Sequence, residues 1–315
     1  TDANSNDEHI VDEQSGAIRE SQRTAQTAAE NDTHTGTATN TTMLVVRFEP
    51  YNIKQPSTQQ ATAGNTTDAR KTHAEETKAA FRDRFGNATV GTQSADAAAV
   101  TIHREFWLAN AALVEVNTDR VPRSVLLETP GVEQVHENYA VTIETAGAQA
   151  TQQTANAGSE RTSAESTTTS VTEGLAISNV PAAWERVPNS EPGTGATVAV
   201  LDTGIDDDHK DLAVAAGGWA AFDAYGQQIT DSVPHDENGH GTHVAGTVAG
   251  PREPAGGGRA YGVAPGASLY GVKVLNENGS GTFAQVLAGM EWATEQEDVD
   301  IIQMSLGADG TYDAY

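Results

Sequence analysis

The sequence predicts two units of different fold class: an α+β unit over residues 43–145 and a parallel α/β unit over residues 175–315. Strand-like and helix-like segments follow the order β-α-β-β-α-β in the first unit, which is the ferredoxin-like arrangement. In the second unit, continuous apolar strands alternate with helices, as in a parallel sheet. Residues 146–174 between the two units are rich in Ala, Thr, Ser and Gly, a composition typical of a linker.

The α+β unit begins with the strand MLVVRFEP, which Pro50 ends. A helix is predicted over Asp68–Phe85, with Asp68 as its cap and Ala, Lys and Phe side chains along one face. Two strands, AAVTIHREFWL and ANAALVEVN, precede a short helix in DRVPRSVLLETPG. Pro122 stands near the start of that helix and Gly131 just past its end. The segment VEQVHENYAVTIE is predicted as one last strand region.

The α/β unit alternates three strands with two helices. The strands are GATVAVLDTGID, ASLYGVKVL and VDIIQMSLG, and the helices are HGTHVAGTVAG and TFAQVLAGMEWATEQ. Strands that are apolar on both faces indicate a sheet covered by helices on both sides. Ligands of such sheets bind beyond the carboxyl ends of the strands. Asp202 and Ser305 stand at two of these ends and are therefore candidate site residues.

Charge is the most unusual feature of the composition. The chain has 44 acidic and 18 basic residues, a net charge of −26, and only five of the basic residues are lysines. Residues 1–42 hold eight acids against two arginines and almost no large apolar side chains, so they are predicted to be a disordered acidic tail. The tail accounts for −6, which leaves −20 elsewhere. An acidic, lysine-poor surface throughout the fold indicates adaptation to high salt, where self-repulsion is screened, and it disfavours nucleic acid as a partner.

Several classes of protein are excluded by composition. The chain has no cysteine, so disulfides and thiolate metal sites are excluded. No apolar run approaches the ~18 residues that a membrane span needs, and no span is expected. The chain opens TDANSND, without Met or a signal segment. We therefore expect that a leader has been removed or that the sequence starts within a longer gene.

The segment NGHGTHVAGTVAG places His240 and His243 three residues apart in a run of small residues. Three interpretations are open: a metal-binding pair, a catalytic base with a neighbour, or two packed histidines. The HxxH spacing differs from the HExxH of zinc helices, and no nearby acid or Cys completes a ligand set, which weakens the metal interpretation. Taken alone, Asp202 fits a residue that only forms the turn before Thr-Gly as well as it fits a catalytic residue.

Taken together, these motifs resemble the subtilisin-like serine peptidases (subtilases, peptidase S8). The resemblance is carried by the strand-terminal Asp202, by His240 opening a Gly-rich helix, and by GVAPGASLYGVKVL, GSGTF and MSLG in that order, and it runs from Leu175 to Gly307. Together with the acidic surface, it suggests a halolysin-like, haloarchaeal type. The upstream segments TTMLVVRFEP and ALVEVNTDRVPRSVLLETPGVEQVHENYAVTIE resemble an inhibitor I9-type propeptide. The resemblance implies a subtilisin-like parallel sheet with flanking helices behind a propeptide, with processing within 146–174.

The resemblance also implies roles for individual residues. His240 is the general base and Asp202 orients it, while His243 packs rather than reacts. The expected substrate-binding residues form two walls, an edge strand and an opposite wall whose apolar members line pockets: Gly279, Ser280, Gly281 and Phe283 on the first, and Ser305, Leu306 and Gly307 on the second.

Calcium is a further implication of the resemblance. Asp211 in DDDHKDL matches a family position that ligates Ca²⁺, and nearby carboxylates supply the hard oxygen chemistry. The partner loop PREPAGGGRAY departs from the family pattern because it lacks the usual Asn ligand. In so acidic a chain, a run of aspartates such as DDDHKDL is also expected without any calcium site. No cofactor is required for the chemistry itself.

The expected protein is a secreted, monomeric serine endopeptidase precursor that acts on proteins or peptides, with its own propeptide as intramolecular inhibitor. No GTSMA-type nucleophile segment precedes Tyr315. We therefore expect the chain to be truncated before the catalytic serine and inactive alone. The alternative is a non-catalytic, propeptide-like inhibitor or folding assistant with a vestigial protease fragment. A metal hydrolase is a third, more distant option.

Overall fold

The computed structural model describes residues 40–52, 63–86, 99–143, 171–187 and 190–308. The tail predicted over 1–42 and the linker predicted over 146–174 lie mostly outside these residues. The strands are β1 (Thr41–Phe48), β2 (Val100–Phe106), β3 (Ala111–Asn117), β4 (Val132–Glu137), β5 (Ala140–Ile143), β6 (Thr197–Asp202), β7 (Val214–Ala221), β8 (Ser268–Lys273), β9 (Ser280–Thr282), β10 (Ile301–Met304) and β11 (Leu306–Gly307). The α-helices are α1 (Ala63–Phe81), α2 (Arg123–Leu127), α3 (Glu173–Ile177), α4 (Val180–Trp184), α5 (His240–Ala249) and α6 (Phe283–Glu295).

The N-terminal unit, residues 40–143, contains an antiparallel sheet in the order β2-β3-β1-β4. Its element order from β1 to β4 is β-α-β-β-α-β. Helix α1 begins at Ala63, so Asp68 lies inside the helix and the prediction that Asp68 caps it is wrong. The helix ends at Phe81 rather than at Phe85, and a π-helical turn, Arg82–Gly86, follows it. The predicted face is buried: Ala74 and Phe81 of α1 and Phe85 of the π-helical turn pack into the core or against it. Lys78 is 2% exposed, and its ammonium donates to the carbonyl of Phe106 at 2.7 Å.

The C-terminal unit, residues 171–308, contains a parallel sheet in the order β10-β6-β8-β7, with α5 and α6 against it. This confirms the predicted α/β class with a parallel sheet and flanking helices. The most buried strand is β6, in which all six residues are buried. Ala199 and Leu201 belong to the core cluster that contains α6, whereas Val198 and Val200 belong to the cluster that contains α5. Side chains alternate between the faces of a strand, so the side chain after Leu201 is directed toward α5.

The two units share one hydrophobic core. Val45, Leu113 and Phe106 of the N-terminal sheet cluster with Leu287 and Ala288 of α6. The alternate residues of β1 and β3 pack instead in a second cluster with the helices of their own unit. The N-terminal sheet is therefore covered by its own helices on one face and by the C-terminal unit on the other.

The predicted single strand VEQVHENYAVTIE is two strands in different sheets. β4 extends the N-terminal sheet, whereas β5 lies between β9 and β11 in a third, antiparallel sheet. The chain changes sheet at Asn138 and Tyr139, which bind the first turn of α6. The Asn138 side chain accepts from Ala284 N–H at 3.0 Å, and the Tyr139 carbonyl accepts from Phe283 N–H at 3.0 Å.

Two boundaries differ from those expected. β1 already includes Thr41 and Thr42, which were assigned to the tail. At the linker, Val171 pairs with Ala260 and α3 begins at Glu173, so ordered structure starts before residue 175. The division into tail, propeptide, linker and catalytic part otherwise stays a prediction. Within the described part of the chain, no helix is long and apolar enough to cross a membrane.

Candidate active site

The centre of the site is a hydrogen-bonded pair formed by Asp202 and His240. Asp202 ends β6 and is fully buried, and its Oδ1 accepts from Thr203 N–H at 2.7 Å. Nδ1 of His240, the first residue of α5, lies 2.7 Å from the same oxygen. A carboxylate only accepts hydrogen bonds, so Nδ1 carries the proton and Nε2 is the ring nitrogen able to accept one. The His240 side chain is 20% exposed and lines a cavity of about 500 Å³.

Small residues allow α5 to approach β6 closely enough for this contact. A Cβ on Gly241 would lie 2.2 Å from the carbonyl oxygen of Gly204 and 3.1 Å from Cβ of Asp202. Gly204 itself has φ +123°, and a Cβ there would lie 2.0 Å from the carbonyl oxygen of His235. Any larger side chain at either position would separate the helix from the strand end, because these contacts are with backbone atoms.

Asp236, which the sequence reasoning missed, ties the strand end to the helix start. Its Oδ1 accepts from Thr203 Oγ1 at 2.8 Å, from Gly239 N–H at 2.9 Å and from Asn238 N–H at 3.2 Å. Its Oδ2 accepts from the N–H and hydroxyl of Thr242 at 2.9 and 2.7 Å. Thr203 follows Asp202, and Thr242 lies in the first turn of α5. Asp236 therefore holds together the two elements that carry the pair.

The charge of Asp236 is stabilised by the same contacts. Burial alone would raise the pKa of this carboxyl, but the hydrogen bonds from Thr242, Gly239 and Thr203 outweigh burial and lower the pKa. Asp236 lies four residues before α5, whose N-cap is Gly239, so the usual capping position gave no signal for it. In a chain with 44 acidic residues, its charge did not single it out either.

His243 lies one turn along α5 and is exposed, so the interpretation that it packs is wrong. It lines the cavity next to His240 and a second cavity of about 670 Å³. No group of three or more His, Asp or Glu side chains that could hold a metal occurs among the described residues. The two histidines therefore differ in role: His240 belongs to the pair with Asp202, and His243 does not.

The predicted substrate walls face each other across β5. On one side, Thr142 pairs with Ser280 and Val141 with Gly281, and Ile143 N–H donates to the carbonyl of Gly279 at 2.9 Å. On the other side, Leu306 pairs with Ile143 and Gly307 with Thr142. The structure thus brings together the residues predicted for both walls, and an extended segment of the chain itself lies between them.

The remaining wall residues surround this strand. Phe283 packs against Tyr139, with ring centroids 4.7 Å apart, and Leu306 packs against the shared core. Ser305 lies on the wall of the cavity that His240 also lines, and its hydroxyl accepts from Gln303 at 3.0 Å. Val141 is 4% exposed in the same cluster. The site therefore encloses an apolar side chain at the position that Val141 occupies in β5.

Asp211, the predicted calcium ligand, has both carboxylate oxygens engaged by protein donors. Oδ1 accepts from Ala255 N–H at 2.7 Å and Oδ2 from the hydroxyl of Tyr261 at 3.0 Å. The hydrogen bond from Ala255 is the main reason that the pKa of Asp211 is lowered. In this arrangement the carboxylate holds the loop PREPAGGGRAY, and calcium binding at Asp211 stays a prediction.

The arrangement defines a class of protein: a parallel α/β fold with an Asp-His pair at a strand end, beside a cleft that holds an extended segment of the chain. Comparison with known proteins shows what this part of the chain is similar to. Residues 193–315 match the model of the subtilase family, peptidase S8. The similarity of this part of the chain supports a subtilisin-like serine peptidase.

Individual relatives agree with the family match. The chain is 48% identical over 115 residues to subtilisin DY of Bacillus licheniformis, covering 36% of this chain and 38% of that protein. It is 51% identical over 116 residues to a thermostable alkaline protease of Halalkalibacterium halodurans, covering 37% of this chain and 29% of that protein. It is 43% identical over 143 residues to an intracellular serine protease of Paenibacillus polymyxa, covering 44% of this chain and 39% of that protein. The chain therefore spans well under half the length of these relatives.

Proposed function

We propose that this chain is part of a subtilisin-type serine endopeptidase, in which His240 is the general base and Asp202 orients it. The observation that carries the proposal is the 2.7 Å contact between Nδ1 of His240 and Oδ1 of the buried Asp202, beside a cleft with two β-pairing walls. The contact fixes the imidazole tautomer, so Nε2 can take the proton of an attacking serine hydroxyl and return it to the leaving amine. The serine itself would come from a nucleophile segment outside these 315 residues.

The walls fit a peptide substrate. A strand bound between β9 and β11 exposes its backbone to pairing on both sides, which is recognition by β-augmentation and depends little on side chains. Enclosure of an apolar side chain, as seen for Val141, adds a preference at one position of the substrate. We propose protein or peptide substrates on these grounds.

We further propose that residues 43–145 are a propeptide that inhibits the site in the manner of a product. β5 supports this, because it occupies the cleft with substrate-like pairing on both of its edges. The alternative of a non-catalytic inhibitor or folding assistant draws on the same strand. The alternatives differ in one respect: only the enzyme needs the Asp202–His240 pair.

The propeptide role is tested by adding residues 43–145 to a mature, active form of the enzyme. We expect saturable, competitive inhibition. An Ile143→Pro variant should inhibit at least tenfold more weakly, because proline cannot supply the N–H that binds Gly279. Ile143→Ala keeps that N–H and is the matched control. Absence of inhibition at a large molar excess, or equal inhibition by both variants, would count against the assignment.

We also propose that the protein is secreted and adapted to high salt. The net charge of −26 means that the acidic side chains repel one another in dilute buffer. At molar salt, where the Debye length is ~3 Å, this repulsion is screened. We expect the helical circular-dichroism signal to fall as NaCl is lowered from molar to ~0.1 M. Sucrose at 0.1 M NaCl serves as a control for general stabilisation. Equal thermal stability at both salt concentrations would refute the adaptation.

A further inference from the structure

Lys273 lies next to the strand end that carries Asp202. It ends β8, opposite Asp202 in the β6–β8 register, and its side chain is only 14% exposed. The ammonium donates to the carbonyl of Thr203, the residue that follows Asp202. The sequence has five lysines, and Lys210 is the only other one in the C-terminal unit. A lysine-poor chain thus shields one of its few ammonium groups beside the proposed catalytic aspartate.

Thr203 links Lys273 to the Asp202–His240 pair. Its N–H donates to Asp202 Oδ1 at 2.7 Å, and its hydroxyl donates to Asp236 and accepts from Gly241 N–H at 2.9 Å. Thr203 is fully buried, and the bond from Lys273 engages its remaining polar group, the carbonyl. The peptide group that contacts the aspartate is therefore held at every polar atom, and Lys273 is the cation that holds its carbonyl.

Glu237 orients the ammonium of Lys273. Its Oε2 lies 3.0 Å from Nζ of Lys273, and its Oε1 lies 3.4 Å from Nε2 of His235. Glu237 directly follows Asp236, so two consecutive carboxylates reach Thr203. Asp236 binds the hydroxyl of Thr203, and Glu237 binds the lysine that holds the carbonyl. The Glu237 side chain is 55% exposed, so a substitution there should disturb folding little.

Negative charge predominates around His240. The charged and titratable groups on the surrounding elements are Asp202 on β6, His235, Asp236 and Glu237 in the loop before α5, His243 on α5, Lys273 at the end of β8 and Glu277 in the turn after β8. Among these groups, four are carboxylates and Lys273 is the one lysine or arginine. Oδ2 of the buried Asp202 has no hydrogen-bond donor among the described residues. Nearby carboxylates favour a protonated imidazole, and a nearby ammonium opposes it.

We propose that Lys273 is a positioning residue that acts on His240 through Thr203 and Asp202. Its ammonium fixes the Thr203 peptide and offsets the surrounding carboxylates, so that His240 stays unprotonated, and able to act as a base, down to a lower pH. Glu237 holds the ammonium in place and partly opposes its effect on His240. The proposal rests on the role of His240 proposed above, and it adds two residues that set the pH range of that role.

The two residues should have effects of opposite sign on the pH dependence of kcat/KM. The measurement uses a form of the protein that carries the nucleophilic serine, at about 1 M NaCl, where exposed charges are screened. Lys273→Met should move the acid limb to higher pH by about 0.5 pH unit or more, because it removes a shielded positive charge. Glu237→Gln removes a negative charge but keeps an oxygen that can accept from Lys273, and it should move the limb to lower pH by about 0.2 pH unit or more.

Matched variants separate this charge effect from a purely structural one. Lys210→Met and Glu297→Gln remove the same charges from exposed side chains and should leave the limb within about 0.1 pH unit of the parent. Lys273→Arg keeps the positive charge and should return the limb to within about 0.2 pH unit of the parent, even where kcat falls. A structural role alone would lower kcat without moving the limb in opposite directions.

A second measurement uses the 315-residue chain and needs no serine. The imidazole signal of His240, assigned by its absence in His240→Ala, is titrated by NMR in histidine-labelled protein. The midpoint of this titration should rise in Lys273→Met and fall in Glu237→Gln. If Lys273→Met fails to fold, the comparison of Glu237→Gln with Glu297→Gln decides, and equal midpoints in these two variants would overturn the proposal.

The outcomes distinguish this proposal from the proposed function. Shifts of the same sign for Lys273→Met and Glu237→Gln, or a shift in Lys210→Met as large as that in Lys273→Met, would overturn the role of Lys273 and leave the peptidase assignment standing. Peptide hydrolysis by the extended form that does not depend on His240 would refute the proposed function. The NMR titration of the 315-residue chain would still test the effect of Lys273 on His240 in that case.

Discussion

Replacing His240 by Ala is expected to lower kcat by about 10⁶ in a form of the protein that carries the nucleophilic serine. In subtilisin, loss of the histidine alone has an effect of about this size, since the serine, histidine and aspartate act as a unit. His243→Ala alters the same helix, three residues further along, and should leave kcat within about tenfold of the parent. The measurement is the turnover of a chromogenic peptide by both variants.

Asp202→Asn should cost about 10⁴ in kcat, because an amide that donates to Nδ1 would favour the wrong imidazole tautomer. The change keeps the size of the side chain, so the fold should be retained in circular dichroism. Losses of similar size for His240→Ala and His243→Ala would show that the helix matters for structure rather than for proton transfer. Full activity of Asp202→Asn would remove the carboxylate from the mechanism.

Replacing Asp236 by Ala is expected to lower the free energy of unfolding by about 3 kcal/mol, since hydrogen bonds to a charged group contribute about 1.5–3 kcal/mol and several are lost together. Activity should fall as well, because Thr203 and Thr242 no longer hold β6 against α5. Urea denaturation gives the first quantity and kcat the second. Asp206→Asn is the control, since Asp206 is exposed and its carboxylate closes only a local turn with Asp208 N–H.

The contribution of Asp236 should depend on pH. Its pKa is lower in the folded than in the unfolded protein, so its stabilising effect is present above the unfolded value of about 3.9 and is lost as pH falls through the folded value. Asp236→Asn should therefore be less stable than the parent near neutral pH, and the difference should shrink below about pH 4. A difference that is constant from pH 7 to pH 3 would contradict this.

The sequence was most informative where the environment of a residue depends on the strand or helix that contains it. The apolar run TVAVL predicted a strand buried on both faces, and its alternation explains why Asp202 is directed toward α5. The small residues of HGTHVAG predicted a helix close to the sheet, and Gly241 shows the reason. The family resemblance implied the two segments that pair with β5.

Features that depend on contacts between distant segments could not be predicted in this way. The break between β4 and β5 lies at Asn138, within an uninterrupted strand-like pattern, and it exists because that residue binds the start of α6. The exposure of His243 likewise depends on what surrounds α5. The contact between Arg104 and the carbonyl of Gly226 likewise joins residues that are 122 positions apart in the sequence.

A fluorophosphonate probe tests the central claim most directly, because it reacts with a serine only when a base activates the hydroxyl. We expect no labelling of the 315-residue chain, and labelling of one serine in a form extended to include the nucleophile segment. His240→Ala should abolish that labelling and His243→Ala should preserve it, with no effect of a zinc chelator. Labelling of the extended form that survives His240→Ala, or peptide hydrolysis that the chelator rather than the probe abolishes, would contradict the assignment of Asp202 and His240 to a serine peptidase site.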